Sequence, residues 1–168
     1  DIVAPRAYSR MLQILDQSGS SFATGPAEEF GTRRKRYWTT DSTAFDTERV
    51  ATSIGAHPEL IEDHTAWNKI FRRSFLVDNN IQWPVGVKCE DVLPSARAYT
   101  AAVTVDVVPD VVYLYRRRRD SITTALGSEI AFADWVSQSR QALEAVSDAP
   151  PSARARLALK VLARHCLE

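Results

Sequence analysis

Two hydrophobic runs in the second half of the chain constrain its fold more than any other feature of the sequence. Residues 104–108 and 111–115 are rich in β-branched and aromatic side chains, and Pro109-Asp110 separates them. Such runs favour strands, and a Pro-Asp pair favours a turn, so we expect two short strands linked by a turn. Helical periodicity is found on both sides of these runs, over residues 90–102, 128–146 and 152–166. The sequence therefore predicts a mixed α/β fold with short strands.

The first half of the chain predicts further short elements of both kinds. Asp1 is suited to cap a helix that Gly19 ends, because apolar residues recur at helical spacing between them. A strand is expected over residues 21–24 and a short helix over residues 47–54. Another helix is expected to begin near Asp63 and to pack its apolar side chains inward.

The composition excludes several classes of protein. The 21 Lys and Arg residues balance the 21 Asp and Glu residues, so no overall charge attracts nucleic acid or an anionic membrane. No apolar stretch approaches the roughly 20 residues that span a bilayer. Cys89 and Cys166 lie far apart without a CxxC pair, which predicts neither a zinc site nor a disulfide framework. We therefore expect a soluble, cytoplasmic protein without a nucleic-acid partner.

Residues 33–38 form a basic stretch that ends in Tyr37 and Trp38. Basic residues interleaved with aromatic ones can hold phosphates and stack bases. The zero net charge and the lack of a recognised nucleic-acid-binding motif argue against that function here. A loop that contacts an anionic acceptor, such as a polyol-phosphate polymer, is the alternative.

Three segments in a fixed order carry the strongest functional signal. They are WNKIFRR at residues 67–73, the pair Glu90-Asp91, and YLYRRRRDSIT at residues 113–123. Together they resemble family 2 glycosyltransferases, in which a WNKLYRR-x-FL segment precedes an I-x-FP-x-G segment, an ED pair, a VVP segment and a VYxYRxRxxSIT stretch. The further matches to that pattern lie at residues 81–86, 107–109 and 112–123.

The resemblance also implies a domain organisation. It covers about residues 1–125 and implies the acceptor-side, C-terminal half of a GT-A domain. The nucleotide-binding half would precede Asp1, so we expect the chain to be cut away from it and to be inactive alone. Residues 126–166 would be a helical C-terminal extension, and residues 167–168 resemble a cloning scar. Packing of the extension on the domain is favoured, and peripheral membrane association of the parent through its basic face is the alternative.

The Glu90-Asp91 pair is the candidate catalytic centre. An acceptor hydroxyl is a poor nucleophile at neutral pH, so a carboxylate must take its proton as it attacks the anomeric carbon. The resemblance assigns this task to Asp91, with Glu90 beside it, and repulsion between the carboxylates would raise the proton affinity of one of them. The alternative is structural, because acidic residues at a helix start often cap the helix or stabilise its dipole.

The donor side involves charge neutralisation. The departing nucleoside diphosphate carries negative charge that a divalent cation or Arg side chains can stabilise. The resemblance implies that Arg116, Arg118 and Ser121 approach the diphosphate, and that Asp1 is the last carboxylate of a DxD motif that binds Mg or Mn. Alternate strand residues point to opposite faces, so at most two of the four arginines at 116–119 address one ligand. A solvated basic edge is the alternative.

Trp67, Asn68 and Lys69 are the candidate acceptor-binding residues. The resemblance places the acceptor pocket near this segment, and the face of a tryptophan can stack on a pyranose ring. A core position is the favoured alternative for Trp67, because a tryptophan beside Ile70 and Phe71 usually packs inward.

These motifs predict an inverting glycosyltransferase as the parent protein. It would move a sugar from a nucleotide-diphosphate donor to a hydroxyl of a glycan or polyol-phosphate acceptor. Cell-wall or surface-polysaccharide synthesis is the expected setting, in the cytoplasm at the inner face of the membrane. A non-catalytic carbohydrate- or protein-binding module is the rival, in which the acidic pair only stabilises a helix.

Overall fold

The computed structural model describes residues 1–30, 35–37, 42–116 and 129–166. These residues form a mixed α/β structure, which confirms the predicted fold class. The strands are β1 (Ile2–Val3), β2 (Phe22–Thr24), β3 (Ala27–Phe30), β4 (Lys35–Tyr37), β5 (Arg49–Thr52), β6 (Lys69–Phe71), β7 (Val105–Val107) and β8 (Tyr113–Arg116). The helices are α1 (Ala7–Ser18), α2 (Arg73–Asp78), α3 (Val92–Ala101), α4 (Glu129–Ala145) and α5 (Pro151–Cys166), with 3₁₀ helices at Ser42–Phe45 and Pro58–Glu62.

Within the described residues, the strands form two four-stranded sheets. In the first sheet the order is β1-β8-β3-β4, with β3 and β8 parallel and both outer strands antiparallel to their neighbours. In the second sheet the order is β5-β7-β2-β6, again with a parallel central pair and antiparallel outer strands. Each central pair therefore joins an early part of the chain to a late part.

Gly25 lies where the chain passes from the second sheet to the first. β2 leads into β3 through Gly25-Pro26, and β7 leads into β8 through residues 108–112. Val108 N–H donates to Thr24 O at the end of β2, and Val112 N–H donates to Pro26 O, both at 2.9 Å. A Cβ atom on residue 25 would lie 2.7 Å from a Val112 methyl and 2.8 Å from a Val108 methyl. Only glycine permits this close approach of the two passages.

In the part of the chain that the structure describes, two apolar clusters hold the elements together. The larger cluster lies among the second sheet, α3, α4 and α5, and includes the rings of Phe22 and Tyr99, whose centroids are 5.0 Å apart. The smaller cluster includes Met11 of α1 and lies beside the passages between the sheets. Ala153 and Leu157 of α5 are fully buried in the larger cluster. The C-terminal helices thus pack against the same core as the strands.

Polar contacts add to this packing of α5. Arg156 Nη1 donates a 2.7 Å hydrogen bond to Glu62 Oε1, and the Lys160 ammonium donates to the Glu62 carbonyl. Two basic residues of α5 therefore contact the 3₁₀ helix at Pro58–Glu62.

Peripheral membrane association of the parent stays a prediction. Among the described residues, no helix has the length and apolarity needed to cross a bilayer.

The helix expected over residues 47–54 is wrong, because the structure has β5 at this position. The strand pairs antiparallel with β7, and the pairing is irregular between Arg49 and Thr52. Within this irregularity Ala51 has a φ of +51°, and its N–H donates to Asp106 Oδ1 at 2.8 Å. A strand this short has no recognisable periodicity, so its pairing with β7 decides its conformation.

The helix expected to begin near Asp63 is also wrong for most of its length. Residues 63–68 form a loop, β6 follows, and only the short helix α2 comes after it. Side chains of Asp63, Thr65 and Asn68 hydrogen-bond to one another, and β6 pairs with β2. Polar side-chain bonds of this kind compete with a helical backbone.

The first predicted helix begins later than expected. It starts at Ala7 instead of near Asp1, because β1 pairs with β8 and Arg6 has a φ of +63°. Its end is confirmed, since Gly19 has a φ of +72° and donates to Leu15 O at 2.9 Å. The predicted elements at β2, α3, β7, β8, α4 and α5 are confirmed. However, β7 and β8 lie in different sheets, so the segment between them is a passage and not a hairpin turn.

Some predictions fall on residues that the structure does not describe. The basic stretch at 33–38 is described only at residues 35–37, which form β4 at the edge of the first sheet. The predicted boundary near residue 125 lies outside the described residues.

Candidate active site

Glu90 and Asp91 lie directly before α3, where the sequence predicted a helix start. Asp91 occupies the N-cap position, but its side chain makes no capping hydrogen bond. Its carbonyl accepts a hydrogen bond from Ser95 N–H at 3.1 Å. Glu90 is exposed, whereas Asp91 is half-buried. The Asp91 carboxylate is therefore not held in place as a helix cap.

A left-handed residue precedes the acidic pair. Cys89 has a φ of +57°, a conformation that costs a non-glycine residue on the order of 1 kcal/mol. Its carbonyl accepts a 3.2 Å hydrogen bond from Val92 N–H, which closes a tight turn. This turn presents Glu90 and Asp91 at the start of α3.

The surroundings of Asp91 favour its protonated form. Burial raises the pKa of Asp91 to about 6, and the neighbouring Glu90 charge acts in the same direction. The Lys69 ammonium opposes the increase, and the Asp63 charge adds to it. A carboxyl with a pKa near 6 is mostly ionised at neutral pH and is a stronger base than an ordinary aspartate.

A buried carboxylate lies next to this pair. Asp63 was not among the predicted site residues, yet it is the centre of a polar network in which both of its oxygens accept hydrogen bonds. Thr65 Oγ1 donates to Oδ1 at 2.7 Å. Oδ2 accepts from Lys69 Nζ (2.6 Å), Asn68 Nδ2 (3.0 Å), Thr24 Oγ1 (3.0 Å) and the Tyr99 hydroxyl (3.3 Å). Burial alone would raise the pKa of Asp63, but Lys69 and these donors hold it below the usual value.

Lys69 is the cation of this network. Its side chain is 0% exposed, and its ammonium donates to the Asp63 carboxylate and to Thr65 O (2.5 Å), Asn68 Oδ1 (3.0 Å) and Asp63 O (3.2 Å). Burial lowers the pKa of Lys69, and the charges of Asp63 and Asp91 oppose this. The Asn68 amide donates to Gly25 O at 2.9 Å. Asn68 and Lys69, two of the three predicted acceptor-binding residues, therefore hydrogen-bond within the protein, and acceptor contact by either stays a prediction.

Trp67 lies on the other side of the same loop. Its ring centroid is 4.5 Å from that of Tyr113 and 6.0 Å from that of Tyr115, and the latter pair is stacked. Burial raises the pKa of Tyr113, and the nearby Tyr8 and Tyr115 add to the effect. Trp67 is half-buried and packs on β8, outside both apolar clusters. These aromatic rings form a partly exposed surface beside the first sheet.

Asp1 lies at the end of β8. Its Oδ1 accepts a 2.8 Å hydrogen bond from the backbone N–H of Arg116. Arg116 is exposed at the start of the arginine run. Arg118 and Ser121 lie outside the described residues. The predicted metal ligand and the first predicted diphosphate ligand are therefore adjacent.

The donor set fits a divalent cation only in part. No cluster of three or more His, Cys, Asp or Glu side chains that could hold a metal was found among the described residues. Magnesium is commonly held by one or two protein carboxylates together with substrate phosphates and water. Asp1 could supply one such carboxylate, with the remaining ligands coming from the diphosphate and water.

The loop at residues 63–68 connects these features. From α3, Ser95 Oγ donates to His64 O at 2.8 Å and the Tyr99 hydroxyl donates to Asp63, while Trp67 packs on β8. The structure thus groups Asp91 with Lys69 and Asp63, and separately groups Asp1 with Arg116. The polar residues near Asp63 were the signal in the sequence for a site at this position. The same residues are equally typical of a helix start.

Comparison with known proteins bears on the fold. No protein-family model matches the sequence, and no curated protein matches it either. Among solved structures, residues 1–349 of TarS from S. aureus in complex with UDP-GlcNAc match with a TM-score of 0.72 and 18% identity, over 97% of this chain and 45% of that one. The chain has the fold of part of a GT-A glycosyltransferase.

Two further TarS structures match the same fold. TarS 1–349 in complex with UDP gives a TM-score of 0.65 at 17% identity, over 94% of this chain and 42% of that one. TarS 1–349 without a named ligand gives a TM-score of 0.66 at 17% identity, over 98% of this chain and 44% of that one. The chain spans less than half the length of these structures.

Proposed function

We propose that the chain is the acceptor-side, C-terminal half of the GT-A domain of an inverting glycosyltransferase, with Asp91 as the catalytic base. The observation that carries this proposal is the state of the Asp91 carboxyl. It is half-buried at the start of α3, makes no capping hydrogen bond, and has a pKa raised to about 6. These properties suit a group that must take a proton near neutral pH.

The proposed reaction is a direct displacement at the anomeric carbon. The acceptor oxygen forms a bond to that carbon while the bond to the nucleoside diphosphate breaks, and the hydroxyl proton passes to Asp91. Attack from the face opposite the leaving group inverts the anomeric centre. Glu90 assists by repulsion, because its charge favours proton uptake by Asp91.

The leaving diphosphate is stabilised on the donor side of the site. Arg116, Arg118 and Ser121 are the proposed contacts, and Asp1 is the proposed ligand of a Mg or Mn ion. A bound divalent cation would neutralise charge on the diphosphate oxygens. The adjacency of Asp1 and Arg116 supports this assignment, because both would face the same phosphate groups.

The proposed substrates follow from the fold and from the aromatic surface. TarS structures hold UDP and UDP-GlcNAc, which favours a nucleotide-sugar donor for the parent of this chain. The acceptor would be a glycan or a polyol-phosphate polymer of the cell wall or cell surface, built in the cytoplasm at the inner face of the membrane. Trp67 would line the acceptor side, together with Asn68 and Lys69.

The test is the Asp91→Asn variant of the full-length parent protein. Asn has nearly the same shape but cannot accept the proton, so transfer should fall by about 10³-fold or more while donor affinity is kept. Glu90→Gln is the matched control, for which a smaller loss is expected. Sugar transfer from a radiolabelled donor and donor binding by calorimetry measure the two quantities. Near-normal turnover in the Asp91→Asn variant would reject Asp91 as the base, whereas no sugar transfer by the unmodified parent would favour the non-catalytic binding module.

A further inference from the structure

We infer that the buried Asp63–Lys69 ion pair is a positioning unit for the proposed base, in which Lys69 keeps one positive charge at a fixed place beside Asp91. This inference rests on the proposed function of Asp91 and adds two residues to it. Neither residue touches the reacting atoms in this scheme.

The first support is the burial of the pair. The side chains of Lys69 and Asp63 are 0% and 1% exposed, and their charged atoms are 2.6 Å apart. A buried ion pair is rarely worth more to stability than a well-packed apolar pair, because both charges lose their hydration. The presence of the Asp63–Lys69 ion pair next to Glu90 and Asp91 therefore favours an electrostatic role.

The second support is the rigidity of the lysine. Its three ammonium protons face four acceptors, which come from Asp63, Thr65 and Asn68. All four are acceptors, so the charged ammonium suits the site better than a neutral amine. Tyr99 of α3 donates to the same Asp63 oxygen and lies 5.5 Å from the ammonium, measured to its ring centroid. The lysine thus has one position relative to α3.

The third support is the set of charges around Asp91. Glu90 and Asp63 favour its protonated form, and Lys69 favours its ionised form. From α4, Asp134 is held near the same turn, where its Oδ2 accepts from Lys88 N–H at 2.9 Å. The loop that carries Asp63 contacts the first turn of α3, where Ser95 Oγ donates to His64 O at 2.8 Å. Lys69 therefore holds a positive charge near the start of α3, where it helps to keep the proposed base ionised at neutral pH.

Removing the lysine charge should shift the titration of Asp91. In the Lys69→Met variant, Asp91 should titrate at a higher pH than in the wild-type chain, by about one pH unit. The Tyr99→Phe variant is the matched control, because it removes a hydrogen bond to the same Asp63 oxygen without changing any charge. Its titration should coincide with that of the wild-type chain.

The measurement is a carboxyl ¹³C NMR titration of the full chain with labelled aspartate, with Asp91→Asn used to assign the signal. An unchanged midpoint in folded Lys69→Met would overturn the inference. Loss of a buried partner can unfold a protein, so the charge-balanced double variant Asp63→Asn with Lys69→Met is included. Lys69 lowers the pKa of Asp91 by more than Asp63 raises it. The Asp91 midpoint in the double variant should therefore still lie above the midpoint in the wild type. A midpoint at or below the wild-type value would overturn the inference.

Kinetics of the parent protein separate this inference from the proposed function. If Asp91 is the base, the acidic limb of the kcat/KM profile should move with the NMR midpoint in Lys69→Met. A shifted NMR midpoint with an unmoved acidic limb would retain the coupling between Lys69 and Asp91 and reject Asp91 as the base.

Discussion

The carboxylate of Asp1 accepts a hydrogen bond from the backbone amide of Arg116, with 2.8 Å between Oδ1 and N. Residues at opposite ends of the motif-bearing segment therefore meet at one end of the first sheet. The contact lies next to the antiparallel pairing of β1 with β8, which keeps the first residues out of α1. It provides the basis for the proposed donor-side site.

The Asp1→Asn variant tests this site. Asn can still accept from Arg116 N–H but binds a divalent cation poorly, so the parent enzyme should need about tenfold more Mn²⁺ for half-maximal activity. Metal titrations of transfer activity measure this, with Asp16→Asn on the exposed face of α1 as the control. An unchanged metal requirement would remove Asp1 from the proposed site.

Asp91→Asn should stabilise the fold at high pH. The pKa of Asp91 rises from an ordinary 3.8 to about 6 on folding, so its ionised form is disfavoured in the folded chain. Stability from this group is fully present below about pH 4 and is lost as the pH rises through about 6. The variant should therefore gain about 1–3 kcal/mol over the wild type at pH 8 and little at pH 4. Urea unfolding at both pH values measures this, and an equal effect at both would contradict it.

Gly25→Ala should destabilise the chain by about 1–3 kcal/mol. The added methyl would meet Val112 and Val108 at 2.7 and 2.8 Å, where the passages between the sheets lie against each other. Gly55→Ala is the matched control, because a Cβ atom there lies 3.4 Å from its nearest neighbour, the Ser53 hydroxyl. Thermal unfolding compares the two, and equal melting temperatures would show that the passages can separate.

The acceptor prediction concerns Trp67. Trp67→Ala should raise the acceptor KM of the parent about tenfold while leaving the donor KM unchanged, because the ring lies on the surface shared with Tyr113 and Tyr115. Trp83→Phe is the control, since Trp83 packs against Phe71 at the edge of the larger cluster. A change in donor KM instead would place Trp67 on the donor side.

The isolated chain should bind nucleotide-sugar weakly. Contacts with the nucleobase and the ribose are expected from the nucleotide-binding half of a GT-A domain. Titration of the isolated chain with UDP-GlcNAc should therefore show a Kd above about 1 mM. Isothermal titration calorimetry at high protein concentration measures this. Micromolar binding would mean that the donor site lies within these residues.

Local sequence signals determined the longer elements. Helices α3, α4 and α5 were predictable because each has ten or more residues with periodic apolar positions or clear breakers. β7 and β8 were predictable from their β-branched and aromatic runs. The order of the motifs around Glu90-Asp91 was likewise present in the sequence, and with it the fold class.

Tertiary structure alone decided the short elements and the surroundings of the base. β5 and β6 have three or four residues, too few for a period, and exist because β7 and β2 offer backbone partners. Asp63 could have started a helix, but Lys69, Thr24 and Tyr99 come from three separate elements and make it a buried anion. A buried charge is stable only where partners converge on it, and that convergence is a property of the folded chain.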